Sequence, residues 1–261
     1  MEKWKEYGRL IEKFVRPQTY PLGFKVIRDK NDFPAKTQFP DGLGMKIALC
    51  QANTLARRHG WTMGVMPEDI NCWPVHMGFG WKSVDREAQT KFFNDMGYVA
   101  NEGALNERLR QVDEARETSH RLNLDNSETG FCIFPLAKAE VAPDIIFTYG
   151  NPAQIMRFVQ GYIYHTGKPV TSSSLASGAC VQTILDTLDK KEPYMVVSGN
   201  GERVFAMTQD DEMMFACPAD KVEMLIDGMD FFTGTGRDTL SRLISFSLPS
   251  SWGPSWNWAS P

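Results

Sequence analysis

The sequence predicts an α+β fold, in which a single compact domain has a mixed β-sheet covered by helices. Its length of 261 residues suits one large domain better than two independent ones. Segments with helical and strand-like apolar spacing follow one another without the regular β-α-β alternation of a doubly wound sheet, and several strand-like segments are separated only by turn-forming residues. We therefore predict one domain over residues 1–248, followed by a Trp-rich tail over 249–261 that packs on the domain or on a neighbouring subunit.

The first half of the chain combines predicted helices with short strands. Apolar residues at helical spacing predict an amphipathic helix from Trp4 to Val15, and the apolar run Leu22 to Ile27 predicts a strand. A second helix is predicted to end at Gly60, because the basic residues just before it suit the negative end of a helix dipole. Residues 61–83, rich in Trp, Gly and Pro, predict short strands and loops, and the charged stretch 85–122 predicts solvated helix.

The second half has a more regular pattern. Residues 143–152 form a β-branched apolar run that predicts a buried strand, and the next helix is predicted to end at Gly167. The Ser- and Gly-rich loop 172–179 leads into another helix. From Tyr194 onward the order predicted is strand, tight turn at Asn200-Gly201, strand, acidic turn, strand and helix. No internal repeat is evident in the sequence.

Composition and charge exclude several classes of partner. The formal net charge is -4, the pI is near 5.6 and the basic residues are scattered, so we expect no nucleic-acid partner. No apolar run approaches the roughly 18 to 20 residues needed to cross a bilayer. The charged, amphipathic start lacks the pattern of a signal peptide, so we expect a cytoplasmic protein with no membrane partner.

The five cysteines separate into two groups by their sequence surroundings. Five is an odd number, and a reducing compartment disfavours disulfides, so we expect free thiols. Cys50, Cys72 and Cys180 follow polar loops at or near predicted helix starts, where the dipole and free N–H groups lower a thiol pKa. Cys132 and Cys217 lie in strand-like apolar runs, and we expect both to be buried core residues.

The spacing of the first three cysteines bears on the kind of metal site. The sequence has no CxxC, no HExxH and no Cys-His tract, which argues against a structural zinc. Three thiolates gathered from separate loops suit a [4Fe-4S] cluster, whose fourth iron is then left to a substrate, a water or a non-cysteine ligand. We therefore predict Cys50, Cys72 and Cys180 as metal ligands, with a [4Fe-4S] cluster as the cofactor.

Acidic and basic residues near these cysteines are candidates for catalysis. Glu68 and Asp69 precede Cys72 and are predicted proton donors, although acidic residues in turns mostly cap or solvate the backbone. Arg203 is a predicted partner for a substrate carboxylate. Its alternative role is a salt bridge to Asp211 or Glu212 across the predicted hairpin.

The Ser-rich loop and one histidine complete the candidate site. Ser174 and Gly178 are predicted cofactor-binding residues, since backbone N–H groups and hydroxyls there would bind an anion, but a flexible connection is an equal alternative. His76 lies four residues after Cys72 and within reach of the same site, although a lone His is more often structural.

Four sequence blocks carry a resemblance to a known family: "CQANTLARRHGWTMGVMPEDINC", "PDIIFTYGNPAQIMRFVQGYIY", "SSSLASGACVQTI" and "SGNGERVFAMTQDDEMMFACPADK". In order and spacing they resemble the domain of unknown function 169 family of bacteria and archaea. The resemblance extends over nearly the whole chain, from "PLGFKVI" to about Met229. It implies that the cysteines at 50, 72 and 180 belong to the family pattern, and that those at 132 and 217 are optional.

The resemblance also bears on how many cysteines bind the predicted cluster. Some relatives have a further cysteine near the Gly turn, where this chain has Ser198 and Asn200, which argues against a cluster with four cysteine ligands. The family name states no activity. The resemblance therefore supports the site more than the reaction.

These observations lead to one main functional hypothesis and two alternatives. The main hypothesis is an iron–sulfur enzyme of anaerobic metabolism, an oxidoreductase or lyase, acting on a small organic substrate, for which a carboxylated compound is a candidate. The first alternative is a cluster-free thiol enzyme that uses Cys180 or Cys72, and the second is a non-catalytic module that binds a small molecule. Under the main hypothesis a redox partner protein is expected, and the aromatic tail favours self-association.

Overall fold

The computed structural model describes residues 1–82 and 84–234 of the chain. The predicted tail, 249–261, lies outside the described residues. The helices are α1 (Glu2–Val15), α2 (Leu49–His59), α3 (Trp73–Phe79), α4 (Arg86–Asp95), α5 (Glu102–Arg121), α6 (Pro152–Thr166), α7 (Ala179–Lys190), α8 (Asn200–Phe205) and α9 (Val222–Gly234). The strands are β1 (Leu22–Ile27), β2 (Met63–Val65), β3 (Gly130–Pro135), β4 (Ile145–Gly150), β5 (Thr171–Ser172), β6 (Tyr194–Val197) and β7 (Met213–Pro218).

The strands form one seven-stranded mixed sheet in the order β2-β3-β1-β4-β7-β6-β5. Neighbouring strands are antiparallel except for β5 and β6, which are parallel. The prediction of an α+β domain with a mixed sheet is confirmed. In the part of the chain described, no helix combines the length and apolar character that crossing a bilayer requires.

Helices cover both faces of the sheet because successive strand residues point to opposite sides. In β4, for example, Ile145 and Phe147 enter the larger core with residues of α2, α3 and α7, whereas Ile146 enters a second core with residues of α1, α6 and α9. The larger core includes Cys180, and Cys72 packs against it. Cys50 lies in a separate small cluster that Cys72 also contacts. The second core is wholly separate from these three cysteines and gives the sheet its other hydrophobic support.

The structure contains an internal repeat that the sequence does not show. Strands β1 and β4 pair at the centre of the sheet, and the order β2-β3-β1 on one side is mirrored by β6-β7-β4 on the other. The central register is itself symmetric, because Leu22 pairs with Phe147 and Phe24 pairs with Ile145. We call residues 21–138 the first half-unit and residues 144–221 the second half-unit.

Hydrogen bonds outside the sheet repeat in the same way. Both β3 and β7 end in proline and continue into a short 3-10 helix. The N–H of Leu136 donates to the carbonyl of Pro21 at 2.8 Å, and the N–H of Ala219 donates to the carbonyl of Asp144 at 3.0 Å. The two half-units are therefore related by an approximate two-fold axis between β1 and β4.

Two sequence predictions of local structure are wrong. Residues 61–83 include the helix α3, and the Asn200-Gly201 pair opens α8 instead of forming a hairpin turn, so the predicted strand after it is absent from that described segment. The reason in α8 is capping: Gly199 is extended, and the Glu202 side chain accepts a hydrogen bond from its N–H at 2.7 Å. In α3, Pro74 lies in the first turn, where its missing N–H costs nothing.

Candidate cysteine site

Cys50 and Cys180 occupy equivalent positions in the two half-units. Cys50 is the second residue of α2, and Cys180 is the second residue of α7. Helix α2 is followed by β2 and helix α7 by β6, and these two strands have equivalent places in the sheet. Both side chains are 5% exposed. Cys72 is the N-cap residue of α3, a helix that the sequence did not predict, so all three cysteines lie at helix N-termini.

The three thiols lie close enough to influence one another's ionisation. Burial raises the pKa of Cys180, and the neighbouring Cys50, Glu202 and Cys72 raise it further. Burial likewise raises the pKa of Cys50, with further contributions from Glu202 and Cys72. Cys50 packs with Ala206 in a small cluster that Cys72 contacts. Folding therefore brings the three cysteines to one site, which draws on both half-units.

The prediction of lowered thiol pKa values at these helix starts is wrong. Backbone N–H groups of Gln51, Val75 and Val181 do lower the pKa values of Cys50, Cys72 and Cys180 respectively, but burial outweighs them at each thiol. Desolvation disfavours a thiolate more than one turn of helix stabilises it. At neutral pH the three groups are protonated thiols unless a cation compensates for the charge.

A buried carboxyl group, Glu202, lies beside the thiols. Its two oxygens accept hydrogen bonds from the N–H of Gly199 at 2.7 Å and from the Tyr149 hydroxyl at 2.8 Å. The Tyr149 oxygen in turn accepts a hydrogen bond from the side-chain amide of Asn53 at 3.2 Å. Burial raises the pKa of Glu202 despite these bonds. The site thus holds a carboxyl group oriented by a hydrogen-bonded tyrosine.

Arg57 connects the two half-units, next to the hydrogen-bonded side chains of Glu202, Tyr149 and Asn53. Its guanidinium binds both oxygens of Glu212, at 2.7 and 3.1 Å, and lies 4.3 Å from the centroid of the Tyr149 ring. On the same helix, the Thr54 hydroxyl donates to the carbonyl of Ala206 at 2.5 Å. Helix α2 of the first half-unit therefore holds the segment that follows α8 in the second.

The Nδ1 atom of the buried His76 ring, four residues after Cys72, has no hydrogen-bond partner among the described residues. Two buried side-chain oxygens in segments close to Cys50 and Cys180 also have none. They are the side-chain oxygen of Asn53, one turn after Cys50, and the hydroxyl of Ser198. Ser198 precedes Gly199, where an added side chain would meet the carbonyl of Ala176 and the side chain of Ala179, next to Cys180. Unsatisfied buried oxygens are costly, so these two atoms are available to a group that the protein binds.

The arrangement does not suit a single metal ion. Within residues 1–82 and 84–234, no set of three or more His, Cys, Asp or Glu side chains is arranged to hold one. Thiolates around one tetrahedral ion at about 2.3 Å must approach to about 3.8 Å of one another. In a [4Fe-4S] cluster each thiolate binds its own iron, so the ligands are spread more widely. The thiols of Cys50, Cys72 and Cys180 are the groups that would hold such a cluster.

The predicted proton donors have other partners. Glu68 is exposed and forms an ion pair with Lys30 at 3.1 Å. Asp69 is buried, burial raises its pKa, and its carboxylate accepts a hydrogen bond from the N–H of Met66 at 2.8 Å. The ring of His76 bonds to the carbonyl of Ile70 at 3.0 Å. These contacts fit the capping and structural alternatives for the three residues.

The other predicted residues also make local contacts. Arg203 donates to the carbonyls of Gln209 and Glu212 and lies 3.6 Å from Asp210. The Ser174 hydroxyl accepts a hydrogen bond from the N–H of Val197 at 3.1 Å. Gly178 is the N-cap of α7 and has φ 69°, a left-handed conformation that favours glycine. Ser174 and Gly178 therefore shape the loop that leads to Cys180.

Cys132 and Cys217 are buried within β3 and β7, as predicted. Burial raises the pKa of Cys132 to about 12. Sequence reasoning missed Glu202 and Tyr149. One signal was present for Glu202, which lies three residues after Gly199 in the spacing of a capping box. Tyr149 lies within an apolar strand that gives no sign of a polar contact.

Comparisons with known proteins give a family but no activity. The model of the DUF169 family, described as "Uncharacterised ArCR", matches residues 10–228, which include both half-units completely. An uncharacterized protein of Methanocaldococcus jannaschii is 27% identical over 99 residues, which are 38% of this chain and 42% of that relative's length. No solved structure gives a significant match.

Proposed function

The chain belongs to the DUF169 family, and we propose that it is an iron–sulfur enzyme that acts on a small organic substrate by redox or lyase chemistry. In this proposal Cys50, Cys72 and Cys180 hold a [4Fe-4S] cluster. The observation that carries it is the convergence of three thiols from both half-units around the buried carboxyl of Glu202.

The electrostatics of the site support a positively charged occupant. Burial disfavours ionisation of all three thiols and of the Glu202 carboxyl. Glu202 and Cys72 further disfavour ionisation of Cys50 and Cys180. Buried anionic groups are stable only when they are paired or bound to metal. Iron binding would replace the thiol protons, and the backbone N–H groups of Gln51, Val75 and Val181 would then face thiolates.

Three cysteines leave one iron of such a cluster without a cysteine ligand. When bound, the cluster would supply Lewis-acid or electron-transfer chemistry at that iron. The chain's own contribution is three buried polar side chains in segments close to the cysteines, those of Asn53, Ser198 and Glu202. Glu202 is the acid–base group among them, since its raised pKa keeps a proton available and Tyr149 fixes its orientation.

The proposal includes partners and a location. We propose a cytoplasmic protein with a small-molecule substrate, a redox partner protein and no nucleic-acid partner. A cluster-free thiol enzyme using Cys180 or Cys72 would need a reactive thiolate, and the raised pKa values of both thiols argue against it. A non-catalytic binding module would keep its ligand after all three cysteines are changed to serine.

Anaerobic purification followed by iron and acid-labile sulfide analysis tests the proposal. We expect about four irons and four sulfides per chain. Cys50→Ser, Cys72→Ser and Cys180→Ser should each lose most of the iron, whereas the control Cys132→Ala should retain it, because Cys132 lies on the opposite face of the sheet. An iron-free protein from anaerobic, iron-supplied cells would overturn the proposal.

A further inference from the structure

A groove of about 580 Å³ lies beside the cysteine site. It runs between α5 and α7 and is closed at one end by α3 and by the loop 173–178 that leads to Cys180. Its volume is within the usual range for small-molecule sites. The cysteines do not line it. Gly178 and Val181, on either side of Cys180 in the sequence, do line it.

Arg108 is the unusual cation of this groove. The other basic residues along it have carboxylate partners: Arg110 pairs with Glu114, Arg121 with Asp189 at 2.9 Å, and Lys190 with Asp186 at 2.8 Å.

Arg108 instead donates to the neutral side chains of Ser177 and of Gln111, the latter at 3.0 Å. No carboxylate in residues 1–82 or 84–234 forms an ion pair with it. Its guanidinium lies 5.4 Å from the centroid of the Phe93 ring, and burial lowers its pKa. A partly desolvated arginine without a carboxylate is poised to bind an anion.

The groove has two distinct ends. Helices α5 and α7 run side by side in the same direction, because Arg108 bonds to Ser177 near their starts and Arg121 pairs with Asp189 near their ends. The Arg108 end therefore coincides with the N-terminus of α7. At the far end Asp186 and Asp189 are already paired with Lys190 and Arg121, so among the described residues no unpaired cation lies there to bind a second negative charge.

Apolar side chains form part of both walls between these ends. Val112 and Ala115 on α5 line one wall beside polar residues, and Val181 and Leu185 on α7 line the other. Such walls desolvate a hydrocarbon chain, and burial of each CH₂ group contributes about 0.8 kcal/mol.

We infer that this groove binds a small amphiphilic monocarboxylic acid, with its carboxylate on Arg108 and its apolar chain along α7. This inference rests on the proposed function only in naming a substrate class for it. The carboxylate end of the ligand lies at the end of α7 that carries Cys180. The carbons next to the carboxylate are thus the part of the ligand nearest the cysteine site.

Calorimetric titration with octanoate and with its neutral analogue octanamide tests the inference. We expect wild-type protein to bind octanoate at least about tenfold more tightly than octanamide, because charge-assisted hydrogen bonds to arginine are strong. Arg108→Gln should weaken octanoate binding by about tenfold or more and leave octanamide binding unchanged. The control Arg86→Gln removes an exposed arginine outside the groove and should change neither affinity.

The same titration separates this inference from the iron–sulfur proposal. Cys72→Ser protein should still bind octanoate with wild-type preference, even if it has lost its iron. If Arg108→Gln fails to fold, Arg108→Lys supplies the test, since it keeps the charge but loses the planar fork and should weaken octanoate selectively. Equal affinity of the wild type for octanoate and octanamide, or no octanoate binding at millimolar concentration, would overturn the inference.

Discussion

The two half-units share a backbone plan but differ at the helix that follows β2 in the first and β6 in the second. In the first half-unit that helix is α3, and its N-cap residue is Cys72. In the second it is α8, whose N-cap is Gly199 and whose third residue is Glu202. One half-unit therefore gives the site two thiols, and the other gives one thiol and one carboxyl. Cys50 and Cys180 come to one site because the two half-units repeat the same backbone arrangement. The site is chemically asymmetric because the next helix supplies a thiol in one half-unit and a carboxyl in the other.

The half-units differ again in the segments that connect these helices to the next strand. The first inserts α4 and α5 before β3, and α5 forms one wall of the groove. The second has only the short segment 206–212 before β7, and Arg57 of the first half-unit binds it. The inserted helices α4 and α5 thus contribute to the groove, whereas the short segment 206–212 connects the two half-units through its contact with Arg57.

The largest effect is expected at the ion pair between the half-units. Arg57 is fully buried and Glu212 nearly so, so breaking the pair leaves a buried carboxylate poorly compensated. We expect Arg57→Met to lower the free energy of unfolding by about 3–5 kcal/mol, measured by urea denaturation of the anaerobic protein.

An exposed ion pair provides the control for that substitution. Arg9→Gln removes the solvent-exposed partner of Glu6 on α1 and should leave the urea midpoint almost unchanged. A midpoint for Arg57→Met equal to that of the wild type would show that the half-units do not depend on this contact.

An intermediate effect is expected at the carboxyl that only the second half-unit contributes. Glu202→Gln places an amide donor against either the Gly199 N–H or the Tyr149 hydroxyl, so we expect a loss of about 1–3 kcal/mol. Because burial raises the folded-state pKa of Glu202, its favourable contribution is fully present below the unfolded value of about 4.3. That contribution is lost as pH rises through the folded value.

The deficit of Glu202→Gln relative to wild type should therefore shrink between pH 5 and pH 8. Denaturation curves at several pH values measure it. The control Glu223→Gln changes an exposed carboxyl, so its difference in stability from wild type should not shrink over this pH range. A deficit that grows with pH would mean that the fold stabilises Glu202 as a carboxylate, which is the opposite of the raised pKa.

The smallest effect is expected at the position in α7 that corresponds to Arg57. Thr187, like Arg57, is the ninth residue of its helix, is buried, and has a hydroxyl without a hydrogen-bond partner among the described residues. Thr187→Val removes that unsatisfied group at nearly constant shape, so we expect stability within about 0.5 kcal/mol of wild type or slightly higher. A clear loss, measured in the same urea assay, would indicate a hydrogen bond at this hydroxyl.

Local signals in the sequence predicted much of the fold. The strand Leu22–Ile27 has the predicted bounds, and helices end before Gly60 and Gly167 as predicted, because both glycines adopt left-handed conformations. The grouping of Cys132 and Cys217 as core residues followed from their apolar surroundings. These features depend on residues close to one another in the chain.

Features that depend on distant contacts were not predictable. The repeat is conserved in backbone pairing and not in side chains, since Leu22 corresponds to Ile145 and Met63 to Tyr194. The sign of the thiol pKa shifts was missed because burial, which dominates them, is set by tertiary packing. The pair Asn200-Gly201 favoured a turn locally, but the cap made by Glu202 favoured a helix.

Native mass spectrometry of the anaerobically purified protein tests the central claim most directly. The claim is that cysteines from both half-units hold one iron–sulfur cluster. We predict a chain mass increased by four irons and four sulfides in wild type and in Cys132→Ala, with that increment lost in both Cys50→Ser and Cys180→Ser. Bare wild-type chain, or an increment that survives the loss of either Cys50 or Cys180, would contradict the claim.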